Sequence, residues 1–189
     1  MLIFVSSALA LSPPAPLALT AEQEALLATG EIIVIPSPDH TVPAMGIATV
    51  DAPPEAVIDA VIDLPARVEE IGVLQELTIY RDEPGLVAGK WEAGKFGFGA
   101  TFHVLYHYDR GLGYCEFESD TSKDNDVTNV QGSYQAYAYG DGSLMVYRSI
   151  GQGGGAVPGF LREFLQQTSM REQMGGMIAR AEARTGSDR

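Results

Sequence analysis

The chain has 189 residues, of which 46% are hydrophobic and 20% are charged, a composition typical of one folded domain. Its formal net charge is −13, and such a field repels phosphate backbones and anionic lipid surfaces. The acidity therefore argues against nucleic-acid binding and otherwise indicates solubility. The single cysteine, Cys115, excludes an intrachain disulfide and a metal cluster built from several thiolates.

The amino terminus reads MLIFVSSALALSPPAPLAL, an apolar run followed by a proline-rich linker, and we treat residues 1–19 as one signal-like segment. The run at 2–11 is too short to span a bilayer, while Ala8-Leu9-Ala10 matches the cleavage pattern of a signal peptide. The usual positive charge before such a run is missing, since no Lys or Arg precedes Arg67. We expect export to the periplasm or the medium, with a cytoplasmic protein carrying an apolar tail as the alternative.

Short helices and strands alternate as far as residue 71. Thr20 and Gln23 have the spacing of a capping box, and Gly30 ends the helix that they begin. Proline and an acidic side chain suit the first turn of a helix, as in Pro53-Pro54-Glu55. The other predicted elements are strands at 31–36 and 42–52 and a short helix at about 65–71.

A run of strands and one long helix make up the rest of the chain. Turn residues separate the strands by short breaks, which indicates antiparallel hairpins. An antiparallel sheet needs its apolar face covered, and a helix at about 157–184 is the only predicted element large enough. The predicted strands lie at 73–82, 85–93, 96–109, 112–120, 127–139 and 143–150.

The predicted fold class is therefore α+β, with a helix-grip arrangement. In it, a strongly curved antiparallel sheet wraps around a long C-terminal helix, and two short helices follow the first core strand. The glycine-rich segment GQGGG (151–155) joins the last strand to the long helix. No Lys-Ser/Thr pair follows it, so it is a connector or a hinge rather than a phosphate loop.

Three segments resemble the START-like, or SRPBCC, superfamily, which includes polyketide cyclases, coenzyme Q-binding proteins and the birch-pollen allergen fold. They are GIATVDAPPEAVIDAVID (46–63), GSYQAYAYGDGSLMVYRS (132–149) and GGAVPGFLREFL (154–165). The resemblance covers about residues 45–182. It departs from the family in LPARVEEIGVLQEL (64–77), which has no aromatic residue and leaves the shape of the ligand entrance open.

The resemblance implies one START-like domain at 20–184, with 20–36 as an N-terminal extension and 185–189 as a disordered tail. It also implies a deep, largely apolar cavity between the sheet and the long helix. Family members bind lipids, isoprenoids, steroids or polyketides there. Some of them are enzymes, and many only bind or carry their ligand.

Aromatic side chains are the main candidates for a ligand site. The sequence FGFGATFHVLYHY (96–108) places them on one side of a strand. They either fill a core or line a pocket, and the resemblance favours the pocket. Arg148 lies among apolar residues of a strand, and it holds a ligand's carboxylate or carbonyl if it points inward. The candidate ligand-binding residues are Trp91, Phe98, Phe102, Tyr106, Tyr134, Arg148, Phe160 and Phe164.

No metal or cofactor site is predicted, and no catalytic residue is assigned. His103 and His107 share one face of a strand but lie about 13 Å apart, too far for one metal ion to bridge. The sequence contains no Gly-x-Ser-x-Gly motif of the kind that carries a catalytic serine.

Three functions remain open. The first is binding or carriage of a hydrophobic small molecule without turnover. The second is a polyketide cyclase or aromatase-like enzyme in which Tyr106, Tyr134 or Arg148 positions the substrate. The third is an interaction module that docks a protein partner at the GQGGG segment.

Overall fold

The computed structural model describes residues 11–37, 43–95, 98–127, 130–151 and 168–186. Within these ranges the helices are α1 (Ala21–Leu27), α2 (Pro54–Ile62), α3 (Leu64–Glu70) and α4 (Thr168–Gly186). The strands are β1 (Ile33–Ile35), β2 (Ala44–Val50), β3 (Leu74–Glu83), β4 (Leu86–Lys95), β5 (Phe98–Asp109), β6 (Tyr114–Ser119), β7 (Val130–Tyr139) and β8 (Gly142–Gly151). None of the helices in the described part of the chain is both long and apolar enough to cross a membrane.

The strands form one eight-stranded sheet in the order β1-β2-β8-β7-β6-β5-β4-β3. Every neighbouring pair is antiparallel. Helices α2, α3 and α4 pack on one face, and α4 makes its helix contacts with α2 and α3. The predicted helix-grip α+β fold is therefore confirmed, and most of the strand boundaries agree with the predicted ones to within three residues.

Burial in β5 follows the alternation read from its sequence. Phe102, Val104 and Tyr106 are 7%, 1% and 5% exposed, and they face the helices. His103 and His107, on the other face, are only partly buried. Successive side chains of a strand point to opposite faces, so the aromatic side of this strand belongs to the covered face of the sheet.

The N-terminal segment before α1 covers part of the other face of the sheet. Leu17 and Leu19 pack on a second apolar cluster that includes Ile47, Leu144 and Val146. Because Tyr137 lies on this face, its hydroxyl accepts a hydrogen bond from the Leu17 backbone N–H at 2.9 Å. The proline-rich linker predicted at 12–19 thus lies against the outer face of the sheet, and we call residues 14–19 the N-terminal strap.

Parts of several predicted segments lie outside the described residues, among them residues 1–10 of the signal-like segment. The long helix was expected from about residue 157, and its part up to 167 lies outside the described residues. The same holds for residues 152–155 of the predicted hinge and for 187–189 of the predicted tail. Residues 185 and 186, also assigned to that tail, belong to α4.

Candidate functional site

A cavity of about 60 Å³ lies between the covered face of the sheet, α3 and α4. Strands β4 to β8 contribute its apolar and aromatic walls, while α4 contributes Met170 and Gln173. One charged side chain, that of Arg67 on α3, is among the described residues that line it. The resemblance implied a cavity in this position, between sheet and long helix.

The aromatic side chains of the cavity form a continuous cluster. Tyr134 and Tyr147 stack with their ring centroids 4.3 Å apart and their planes at 13°. Phe117 lies next to Tyr134 at 5.5 Å and next to Tyr106 at 5.8 Å. Rings at these separations attract one another, so the cluster is a stable, largely apolar wall of the cavity.

Arg67 reaches this cluster because of its place on α3. Leu64 and Ile71 lie three residues before and four residues after it, and both are buried, at 0% and 3% exposed. Residues at this spacing share one face of a helix, so the arginine lies on the apolar face of α3. Arg67 as a whole is only 5% exposed.

The guanidinium of Arg67 lies over two tyrosine rings. Its carbon is 5.5 Å from the ring centroid of Tyr106 and 5.2 Å from that of Tyr134, which is cation–π geometry. Its Nη2 donates to the Val61 carbonyl at 2.7 Å and lies 3.5 Å from the Met177 sulfur. Its Nε is buried without a hydrogen-bond partner.

The charge of Arg67 is not neutralised by a carboxylate among the described residues that line the cavity. Burial lowers its pKa, but the neighbouring Tyr134, Tyr106 and Tyr147 hydroxyl groups raise it further than burial lowers it. The guanidinium is therefore positively charged at neutral pH. A buried cation with an unpartnered N–H has the chemistry to pair with an anionic or strongly polar oxygen group.

The phenols around Arg67 are hydrogen-bond donors rather than bases. Burial raises the pKa of Tyr106 to about 12, although the positive charge of Arg67 opposes it. Burial likewise raises the pKa of Tyr134 well above its ordinary value. The nearby Cys115 is fully buried, and burial raises the pKa of its thiol to about 12, so it is protonated and unreactive at neutral pH.

Four of the predicted site residues come together in this cavity: Trp91, Phe102, Tyr106 and Tyr134 all line it. Trp91 and Phe102 lie side by side on β4 and β5, with ring centroids 6.5 Å apart and nearly parallel planes. Phe98 begins β5, and its side chain lies outside what the structure describes. Phe160 and Phe164 lie outside the described residues altogether.

Arg148 is placed away from the cavity. On β8 the neighbouring Tyr147 belongs to the cavity wall, and Arg148 points to the opposite face. There its Nη1 donates to Gln135 Oε1 at 3.2 Å, and Gln135 in turn donates to the Pro14 carbonyl of the strap at 2.7 Å. The outward orientation, one of the two left open by the sequence, is the one observed.

Sequence reasoning missed Arg67, Phe117 and Tyr147. A signal for Arg67 was present, because the spacing Leu64, Arg67, Ile71 places the arginine on the apolar face of a short helix. For Phe117 and Tyr147 the sequence showed only the ordinary alternation of a strand, which did not mark them as site residues.

The two histidines lie on the other face of the sheet. The backbone N–H of His103 donates to Asn125 Oδ1 at 2.6 Å, and its ring Nδ1 lies 3.2 Å from the same oxygen. Across the described residues, His, Cys, Asp and Glu side chains form no group of three or more that suits a metal ion.

No protein-family model and no curated protein matches this chain. Several solved structures, by contrast, are similar to it. A protein of Thermus thermophilus is similar over 74% of this chain and 97% of its own, with 19% identity and a TM-score of 0.62. The STAR-related lipid transfer protein of Xanthomonas axonopodis is similar over 81% of this chain and 91% of its own fragment, with 12% identity and a TM-score of 0.57.

The di-domain ARO/CYC StfQ from the steffimycin biosynthetic pathway is also similar, with 14% identity and a TM-score of 0.59. The match covers 77% of this chain, which spans 52% of that longer protein. At such identities the likeness concerns the fold alone. The chain has the START-like, or SRPBCC-like, fold that its sequence predicted.

Proposed function

We propose that this protein binds or carries a hydrophobic small molecule with an acidic or strongly polar oxygen head group, without turning it over. The observation that carries the proposal is Arg67, a buried cation that faces an aromatic cavity and has an unpartnered Nε. Aromatic walls account for the apolar part of the ligand, and a guanidinium accounts for the head group.

The volume of the cavity indicates what size of ligand it can hold. One water molecule needs about 10–15 Å³ of such space, so a cavity of about 60 Å³ holds on the order of four to six waters. That volume is large enough for a short apolar chain or a small ring system. The lipid-transfer and ARO/CYC structures with this fold support the general class of ligand, a small molecule held inside the fold.

The test compares octanoate with octanamide, which have the same length and differ in charge. Trp91 is the only tryptophan of the chain and lines the cavity, so its fluorescence reports occupancy directly. Octanoate is expected to bind more tightly than octanamide. Arg67→Gln is expected to weaken octanoate roughly tenfold to a hundredfold, the effect of losing a hydrogen bond to a charged group.

Arg148→Gln is the matched control, because it removes the same charge from the opposite face of the sheet. It is expected to leave both affinities within about twofold of wild type, since Arg148 makes no contact with the cavity. Equal losses in the Arg67 and Arg148 variants would show that net charge, and not the cavity, governs binding. Equal affinity of the wild type for the two probes would contradict the proposal.

A second candidate is a polyketide aromatase/cyclase-like enzyme, and the same group of side chains favours it. A guanidinium and neutral phenols that face one apolar space stabilise an oxyanion developing on a carbonyl. The described residues that line the cavity include no His, Asp or Glu to remove a proton, so binding remains the first proposal. Ring closure of a linear poly-β-ketone by the wild type, and not by Arg67→Gln, would favour the enzyme.

A further inference from the structure

Glu70 follows Arg67 by three residues on α3 but is held by a different partner. Residues at this spacing are neighbours on a helix surface, close enough for an arginine and a glutamate to pair. Instead, the Glu70 carboxylate accepts a hydrogen bond from Arg180 Nη1 of α4. The two side chains are 25% and 16% exposed, so most of this ion pair is shielded from water.

The pair fits a specific place on α4. A Cβ at Gly176 would lie 2.2 Å from Glu70 Oε2 and 2.4 Å from its Cδ, so only a glycine admits the carboxylate there. The next residue, Met177, is the one whose sulfur lies 3.5 Å from Arg67 Nη2. The carboxylate of Glu70 and the guanidinium of Arg67 thus reach α4 at consecutive residues.

Arg67 is a second cation able to pair with this carboxylate, since the two residues are three apart on one helix. Glu70 Oε2 and Arg67 Nε are both buried without a hydrogen-bond partner. If Glu70 turned from Arg180 to Arg67, each of these atoms would gain a partner, and Arg67 would lose its free charge.

We propose that Arg180 is a positioning residue for the anion site: it holds the Glu70 carboxylate against Gly176 and so prevents it from neutralising Arg67. A second hydrogen bond, from Arg180 Nη2 to the Ala60 carbonyl at 2.9 Å, fixes the guanidinium that does so. The inference rests on the proposed function, since it requires that Arg67 binds the acidic head group.

The test uses the same two probes and the Trp91 signal. Arg180→Gln releases Glu70, and octanoate is then expected to bind roughly tenfold more weakly, while octanamide is unchanged. Adding Glu70→Gln to Arg180→Gln removes the competing carboxylate and is expected to restore octanoate binding. A merely structural role of Arg180 would weaken both probes and would not be rescued by a second substitution.

Either of two results would overturn the inference alone: unchanged octanoate affinity in Arg180→Gln, or persistent weakness in the double variant. If Arg180→Gln does not fold, the single variant Glu70→Gln tests the inference instead. Its octanoate affinity is expected to equal or exceed that of the wild type, and a loss confined to octanoate would overturn the inference. A wild type that does not distinguish octanoate from octanamide would overturn the proposed function, and this inference with it.

Discussion

Arg67 and Arg148 are the same residue type, and their positions give them different roles. Arg67 is enclosed by aromatic rings, and its charge is available to a ligand. Arg148 pairs with Gln135 on the outer face. The sequence around Arg148 did not settle its direction, because β8 has apolar residues on both faces. Leu144 and Val146 belong to the second apolar cluster, on the face that the N-terminal strap covers. Met145 and Tyr147 face the helices.

The contribution of Asp120 to folding stability depends on pH. The residue is 8% exposed, and its carboxylate accepts hydrogen bonds from the Tyr80 hydroxyl at 2.9 Å and from the Ser122 hydroxyl at 2.6 Å. Burial raises its pKa, but the hydrogen bonds from Ser122 and Tyr80 lower it by more, so the folded pKa lies below the unfolded one. Its stabilising contribution is therefore complete above about pH 4 and is lost as the pH falls through the folded value.

Asp120→Asn is expected to lower the free energy of unfolding by about 1–2 kcal/mol near neutral pH, because it removes charge-assisted hydrogen bonds. The difference from wild type should shrink as the pH falls below about 4, where the wild-type carboxyl also becomes protonated. Urea unfolding at several pH values measures this. Asp124→Asn, at an exposed position of the same turn, is the control and is expected to change stability by less than about 0.5 kcal/mol. A loss in Asp120→Asn that is equal at all pH values would contradict the account.

At the scale of elements, local patterns predicted most of the sheet. Alternating apolar residues and turn residues lie close together in sequence, so strands β3 to β8 were found nearly where the structure has them. The charged residue of the cavity was not predicted, because the contact of Arg67 with Tyr106 and Tyr134 depends on tertiary packing. The strap was read as a free linker for the same reason: its partner Tyr137 lies 120 residues from Leu17.

Gly175 and Gly176 of α4 have different surroundings, because α3 packs on one side of α4. A Cβ at Gly175 would meet nothing within 4 Å, whereas a Cβ at Gly176 would meet the Glu70 carboxylate. Gly175→Ala is expected to raise the free energy of unfolding by up to about 1 kcal/mol, the gain in helix propensity. Gly176→Ala is expected to be less stable than Gly175→Ala by about 1 kcal/mol, because the Glu70 carboxylate, the end of a flexible side chain, must move.

Urea unfolding of the two variants side by side checks this prediction, and each serves as the control for the other. The comparison cancels the propensity gain, which both substitutions share. A Gly176→Ala protein that is as stable as Gly175→Ala would mean that Glu70 does not occupy the space beside Gly176.

At the scale of the whole molecule, the buried positive charge of Arg67 lies inside a protein whose net charge is −13. The negative surface slows the approach of an anion, while salt at physiological strength screens that field beyond about 8 Å. Affinity for an acidic ligand is therefore decided inside the cavity, where water is excluded and a guanidinium hydrogen bond is strong. The START-like fold provides the cavity, and under the proposed function Arg67 gives it a preference for anions.

The crystal structure of the wild-type protein with octanoate tests this central claim most directly. The account predicts that a carboxylate oxygen lies within about 3 Å of an Arg67 nitrogen, with the hydrocarbon tail among the aromatic side chains of Trp91, Phe102 and Tyr134. An octanoate whose carboxylate lies away from Arg67, or a cavity that stays empty at saturating octanoate, would contradict it.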